Sequence, residues 1–300
     1  MFKRVKENVW SFPYLVPALI VLLAVTGYPV VVGIINSFYK FDLSDIITNE
    51  RKFVGLDNFI KLFADDRFLN ALYITTIYTV VSVILSLIIG VLLALLIERP
   101  FPGKNIVRSL LLVPMVMAPA ATGIIWKNFF FGPEHGIINN FLKIFGISGP
   151  GWLTSYPWAL ISVIILETVF SIPLVMIVID AGLMSIPNSV IEAAKIDGAN
   201  YYRQVLHIKI PMIRSSFLMV LIFRISTSFR SFDFIYSTTM GGPGTNTETL
   251  GLYIYNLAIR ILKISYASSA STIMGIIIGS VTFILLVYVM RAGGERFWSK

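Results

Sequence analysis

The sequence predicts an all-α integral membrane protein with six transmembrane helices and both termini in the cytoplasm. Three observations carry that prediction: a composition unable to cover a water-facing surface, six apolar stretches of bilayer length, and a Lys/Arg asymmetry between alternate connections. Of 300 residues, 56% are hydrophobic and only 13% charged, against about 25% charged in an ordinary soluble domain. A bilayer core of roughly 30 Å takes about 20 residues at helical rise. Six stretches meet that length: Tyr14–Tyr39, Ala71–Ile97, Ser109–Phe131, Trp158–Leu183, Ser215–Thr239 and Tyr266–Met290. Soluble helices average only about 11–12 residues, so a soluble helical protein is the poorer reading.

Orientation follows from the basic residues of the connections, which stay on the cytoplasmic side. One side holds thirteen: Lys3, Arg4 and Lys6; Arg99, Lys104 and Arg108; Lys195, Arg203, Lys209 and Arg214; Arg291, Arg296 and Lys300. The opposite connections hold fewer, and the first of them is offset by Asp42, Asp45, Glu50, Asp57, Asp65 and Asp66. Residues 1–13 form a cytoplasmic segment, 14–290 the membrane domain and 291–300 a cytoplasmic tail, with a cytoplasmic loop at 185–214 between the fourth and fifth helices. The N-terminal run has a basic flank but no small-residue cleavage site, so it reads as a retained first helix.

The same composition excludes several chemistries. The net charge of +8 comes from scattered residues with no basic run, which gives no nucleic-acid surface. The absence of cysteine removes disulfides, thiolate metal sites and cysteine nucleophiles. The two histidines, His135 and His207, fall on opposite sides of the membrane, so neither a histidine metal site nor a catalytic dyad forms within one chain. Enzyme chemistry is unsupported.

Ionisable groups deep in a membrane are costly and mark functional sites. Glu167 lies about nine residues into the fourth span, or roughly 13 Å, and Arg224 lies at similar depth in the fifth. Opposite charges on consecutive antiparallel helices point to an ion pair or a shared polar cavity. Arg224, Thr227, Ser228 and Ser231 share a helix face, a polar stripe of hydrogen-bonding groups. Arg230 and Asp233, at i and i+3, are placed to pair nearer the outer surface. The other use of these charges is to bind helices to each other or to a partner subunit. Asp180 is expected near the inner, water-exposed interface. On the second span, Ser82, Ser86 and Gly90 form a small-residue stripe suited to close helix contact. Pro29, Pro114, Pro119 and Pro173 fall within spans, where kinks are tolerated.

One cytoplasmic connection is far longer than a turn: "NSVIEAAKIDGANYYRQVLHIKIPMI", Asn188–Ile213. Ser189 and Glu192 have the spacing of a capping box. A short helix from Glu192 to Asp197 follows, with Ala193 and Ala194 leaving a smooth face. Gly198 is placed to end it in a left-handed conformation. A second helix, about Asn200 to His207, carries Tyr201, Tyr202 and Val205, and Pro211 marks the return toward the membrane. From the residues alone, both an amphipathic connector on lipid headgroups and a docking element for a soluble partner fit.

Glu192-Ala193-Ala194, three residues, Gly198, nine residues, then Ile208-Lys209-Ile210-Pro211 resembles the EAA motif of ABC-importer permeases. The form "EAAKIDGA" is similar to the carbohydrate-uptake branch, with Ile210 where that family usually has Leu. "FPYLVPALIVLLAVTGYPVVVGIINSFYKFD", "FVGLDNFIKLFADDRFLNALYITTIYT" and "FDFIYSTTMGGPGTNTETLGLYIYNLA" resemble successive segments of the first permease subunit of the maltose/glycerol-phosphate type, without the large extra domain of the maltose permease. Asp233 matches a position where that family commonly has Asp.

The resemblance implies a type I ABC importer permease fold in a bacterial or archaeal cytoplasmic membrane. It implies that Glu192, Ala193, Ala194, Asp197, Gly198, Tyr201, Tyr202, His207, Ile208 and Pro211 form a coupling helix seated on an ATPase subunit. It also implies that the turn-rich outer segment with Gly241, Gly242, Pro243, Thr245, Asn246 and Thr247 lies where an extracytoplasmic substrate-binding protein docks, although a plain loop would have the same composition. The chain has no G-x-x-x-x-G-K-[ST] phosphate loop, so ATP and Mg belong to a partner. The expected assembly is this chain, a homologous second permease and two ATPase subunits, importing a sugar by alternating access. A self-sufficient channel or ion-coupled secondary transporter is the rival function.

Overall fold

The computed structural model describes residues 12–40 and 51–297. Lys3, Arg4 and Lys6 and the acids Asp42, Asp45 and Glu50 lie outside them. Contacts divide the chain into two compact units, Met1–Asp66 with Ile254–Ile276 and Arg67–Tyr253 with Ile277–Lys300.

Among the described residues four helices are long and apolar enough to cross a membrane: α1 (Leu15–Ser37), α3 (Asp66–Glu98), α7 (Trp158–Met184) and α13 (Ile264–Phe297, apolar to Met290). Two bent pairs raise the count to six if each is one span: α4 (Lys104–Val116) with α5 (Pro119–Phe130), and α9 (Tyr201–Met212) with α10 (Arg214–Phe229). The shorter helices are α2 (Asp57–Phe63), α6 (Ile137–Ile144), α8 (Asn188–Ile196), α11 (Asp233–Thr238) and α12 (Leu250–Tyr255). A two-residue antiparallel pair, Tyr39–Lys40 with Lys52–Phe53, is the one sheet among the described residues.

In the first unit, α1 ends where Asn58 takes over its orphan carbonyls. Its side-chain amide donates to the Ser37 and Tyr39 carbonyls, both at 2.9 Å, and the Ser269 hydroxyl donates to Ser37 at 3.1 Å. Such capping satisfies groups that a helix end leaves without intrahelical partners.

The second unit is built on α3, α7 and α10. Val83, Leu87 and Ala94 of α3 pack with Val175, Met176 and Ile179 of α7 and Val220 of α10. The small-residue stripe of α3 makes this closeness possible. A Cβ on Gly90 would sit 2.5 Å from Val175 Cγ1, and the Ser82 and Ser228 hydroxyls meet at 2.9 Å. Outward side chains such as Ile88, Leu92 and Leu96 are exposed, an apolar exterior suited to lipid as the solvent.

Two expected spans take different forms. Instead of one helix over Ser109–Phe131, α4 and α5 meet at 99°. Met117 and Ala118 are extended, with ψ of 147° and 132°, because Pro119 disfavours helical backbone in the residue before it. Instead of a helix over Ser215–Thr239, α10 stops at Phe229, and Arg230–Phe232 lead into α11. The freed Ser231 carbonyl accepts the Thr249 hydroxyl at 3.0 Å, and Gly251 lies close enough that a Cβ would be 3.2 Å from that same oxygen.

Candidate functional sites

The Glu167–Arg224 pair is present and buried. Arg224 Nη1 donates to Glu167 Oε1 at 3.0 Å, and both residues are under 5% exposed. Burying one ion costs several kcal/mol unless attraction and further hydrogen bonds offset it. Here they do for the carboxylate: Ser171 donates to Oε1 at 3.3 Å and Tyr78 to Oε2 at 3.2 Å. Tyr78, fully buried on α3, did not stand out in the sequence, because a tyrosine in an apolar run reads as packing. The guanidinium is served less completely. Nε donates to Ser86 at 3.3 Å and Nη1 reaches Thr227 at 3.5 Å, while buried Nη2 has no hydrogen-bond partner.

This network forms one wall of a cavity of about 350 Å³. Phe170, Phe223 and Phe234 supply aromatic surface, and Glu167, Arg224, Thr227, Arg230, Ser231 and Asp233 supply the polar groups. The expected face of Arg224, Thr227 and Ser231 is therefore assembled, but Ser228 turns to Ser82 and is fully buried. Arg230 does not pair with Asp233: its Nε donates to the Ser226 carbonyl at 3.0 Å. The chain leaves helical geometry after Phe229, so the i and i+3 spacing no longer brings the two side chains together.

The connection after α7 does form two helices. α8 starts at Asn188, and Pro187 in its N-cap position makes no side-chain cap. The capping box of Ser189 and Glu192 is thus absent, because the helix begins two residues too early for Ser189 to cap it. Gly198 adopts φ +75°, a left-handed turn that strains any residue bearing a Cβ. Asn200 then caps α9 by accepting the Arg203 N–H at 3.0 Å. α9 runs on through Pro211 to Met212, so the break toward α10 falls at Ile213, with a 66° bend.

Side chains of this element sort into two faces. Glu192, Ala193, Asp197, Gly198, Tyr202, His207 and Pro211 are exposed, whereas Ala194 is buried and Ile208 half-buried. Ile196 is 86%, Tyr202 76% and Leu206 60% exposed, an apolar crest beside charged residues. Tyr201 points the other way. Its hydroxyl donates to the Leu95 carbonyl at 3.3 Å, and Arg99 lies 3.9 Å over its ring. Buried Lys209 donates to both Glu98 oxygens, at 2.6 and 2.7 Å. Asp180 is also internal, 4% exposed and paired with Arg108 at 3.0 Å, so the expected water-exposed placement does not hold.

The glycine-rich segment folds back on its own unit. The Thr247 hydroxyl donates to the Gly242 carbonyl at 2.8 Å and meets Thr239 at 2.8 Å. Asn70 donates to the Thr245 carbonyl at 3.0 Å, and Arg67 and Glu248 form a bidentate pair, each bond 2.7 Å. Thr247 and Gly241 are buried, while Gly242, Pro243, Thr245 and Asn246 keep part of their surface. Thr247 therefore offers nothing to a docking protein, because its hydroxyl is spent internally.

Residues 86–294 match a family described as the binding-protein-dependent transport system inner membrane component. A sulfoquinovosyl glycerol transport system permease of Agrobacterium fabrum is 34% identical over 87% of this chain and 83% of its own length. A starch degradation products transport permease of Thermoanaerobacterium thermosulfurigenes is 31% identical, with 96% of each chain covered. Among solved structures, a chain of a bacterial ABC transporter importing the acidic polysaccharide alginate superposes with a TM-score of 0.81, covering 97% of this chain and 98% of that one at 21% identity. It shares the fold.

Proposed function

The chain belongs to the family of binding-protein-dependent transport system inner membrane components and is a permease subunit of an importer of that kind; from this premise we propose that it carries an oligosaccharide or related carbohydrate, driven by a separate ATPase. In this reading the membrane domain is residues 14–290, with α4–α5 and α9–α10 each counted as one span to make six and both termini cytoplasmic. The membrane is the bacterial or archaeal cytoplasmic membrane. The assembly comprises a homologous second permease, two ATPase subunits that hold ATP and Mg, and an extracytoplasmic binding protein.

The observation that carries the ATP-driven reading is the crest of Ile196, Tyr202 and Leu206 beside Glu192 and Gly198. Large apolar side chains held open on a two-helix element mark a protein or membrane contact, and we read this one as a protein contact. A channel or secondary transporter has no use for such an element. Glu192, Ala193, Asp197, Gly198, Tyr202, His207, Ile208 and Pro211 are assigned to contact with the ATPase, with Ala194 and Tyr201 holding the element from inside. The substrate path runs past Glu167, Arg224, Thr227, Ser231 and Asp233, where aromatic faces and hydrogen-bonding groups suit a sugar. Gly242, Pro243, Thr245 and Asn246 are assigned to binding-protein docking.

The test is purification of the tagged chain from its native membrane, identification of the subunits it brings, and measurement of ATP hydrolysis with and without the binding protein. Co-purification of a second permease and an ATPase, with hydrolysis raised by the binding protein, is the expected result. Solute movement by the chain alone in liposomes without ATP would establish the rival.

A further inference from the structure

The coupling element and the buried network are far apart in sequence, yet both hold the same helix. α3 is unbroken over its 33 residues, Asp66–Glu98, and contains no proline. At its C-terminal end Glu98 takes the Lys209 ammonium of α9 at 2.6 and 2.7 Å. One residue beyond, Arg99 lies over the Tyr201 ring, with Lys209 5.2 Å from the same ring and the Tyr201 hydroxyl on the Leu95 carbonyl. Further along, Ser86 accepts from Arg224, Ser82 meets Ser228, and Tyr78 donates to Glu167. The separation from Glu98 back to Ser86 is roughly 18 Å, and to Tyr78 roughly 30 Å, at 1.5 Å per residue.

We propose that the Glu98–Lys209 clasp, closed over Tyr201, is the joint by which movement of the coupling element is passed to α3 and along it to the Arg224–Glu167 network. Glu98 and Lys209 are positioning residues: neither lines the cavity, and each acts through α3. The proposal rests on the reading of α8–α9 as the ATPase contact. Two features give the clasp this role. The Lys209 side chain is 6% exposed and Glu98 28%, so the pair is partly desolvated and its geometry is held tightly, unlike an exposed surface pair. Further along, α3 supplies one hydroxyl to the guanidinium, Ser86, and another to its carboxylate partner, Tyr78, so a shift of α3 alters the fit of the Arg224–Glu167 pair directly. Coupling through packed elements needs a physical linkage that both sites bias, and this chain of contacts is one.

The chain's lack of cysteine means that label on this chain, read after the subunits of the intact transporter complex are separated, reports the introduced residue alone. A reporter cysteine at the exposed cavity-lining Phe223 (Phe223→Cys) is labelled with a water-soluble maleimide, with and without Mg·ATP and vanadate. The reporter in an otherwise native complex sets the full nucleotide-dependent change in labelling rate. Glu98→Lys is expected to cut that change at least about five-fold, and Glu98→Lys with Lys209→Glu to restore at least about half of it. A full change in the single reversal, or no recovery in an assembled double reversal, overturns the proposal. If the single reversal does not assemble, Glu98→Gln with Lys209→Met decides in its place: loss of the change supports the joint and retention overturns it. Gly198→Pro separates the two readings. If it too keeps the full change, the ATPase-contact reading itself fails. If it loses the change while Glu98→Lys keeps it, only the clasp fails.

Discussion

Two connections of the second unit are built on opposite principles. The segment 239–250 turns its polar groups inward: Thr247 bonds Thr239 and Gly242, Glu248 bonds Arg67, and the Leu250 N–H bonds Thr75 at 2.7 Å. The segment 188–212 turns its anchors inward but leaves Ile196, Tyr202 and Leu206 in the open. The first satisfies its buried polar groups within its own unit, whereas the second leaves large apolar side chains exposed, the surface proposed above for the ATPase. Gly241, Gly242 and Gly244 make the first far richer in glycine than the second, which has only Gly198, but the destination of the hydrogen bonds and of the apolar area is what sets them apart.

That contrast can be broken or sharpened by substitution. The largest effect is expected at Gly198. Proline there is fixed near φ −65° and cannot adopt φ +75°, so Gly198→Pro should lower binding-protein-stimulated ATP hydrolysis more than about ten-fold in an assembled complex. Next, Glu167→Ala strands a buried guanidinium. Removing one partner of a buried pair costs about 3–5 kcal/mol, read as a large drop in thermal midpoint together with loss of uptake. Tyr202→Ala should leave the permease's own thermal midpoint nearly unchanged, yet weaken binding of its ATPase subunit by about 1.5–3 kcal/mol, the value of one buried large side chain. Thr247→Ala should show the converse. It should cost about 1–3 kcal/mol of stability through unsatisfied buried groups, with binding-protein affinity unchanged once stability is corrected for. The smallest effect is Ser189→Ala, expected within about 0.5 kcal/mol as for an ordinary exposed site, because no cap is lost. A clear loss there would restore the capping box.

Much of this was legible in residue order. Span lengths over α1, α3, α7 and α13 followed from hydropathy, since lipid as solvent imposes long uninterrupted apolar helices. The left-handed turn at Gly198 followed from backbone sterics, and the Glu167–Arg224 pair from the cost of unpaired charge at depth. The partners that complete those features were not legible. Tyr78 and Ser171 are unremarkable within apolar runs, Ser86 stood out only as part of a small-residue stripe, and Lys209 looked like one more cytoplasmic cation until Glu98, 111 residues away, closed on it. Asp180 shows no role in the sequence for the same reason, since its partner Arg108 arrives from a different helix. Tyr201 and Tyr202 are adjacent and alike, yet one braces α3 and the other faces solvent.

By itself, then, the sequence determined what is local or set by the solvent: apolar length, the distribution of basic residues, and the left-handed turn at Gly198. The tertiary structure alone decided what depends on close approach between distant segments. It decided where spans break, which hydroxyls meet Arg224, and that α3 is held at both α9 and the buried ion pair. Local rules reach only a few residues along the chain, whereas an ion pair or a helix packed over Gly90 is fixed by packing that no single segment contains.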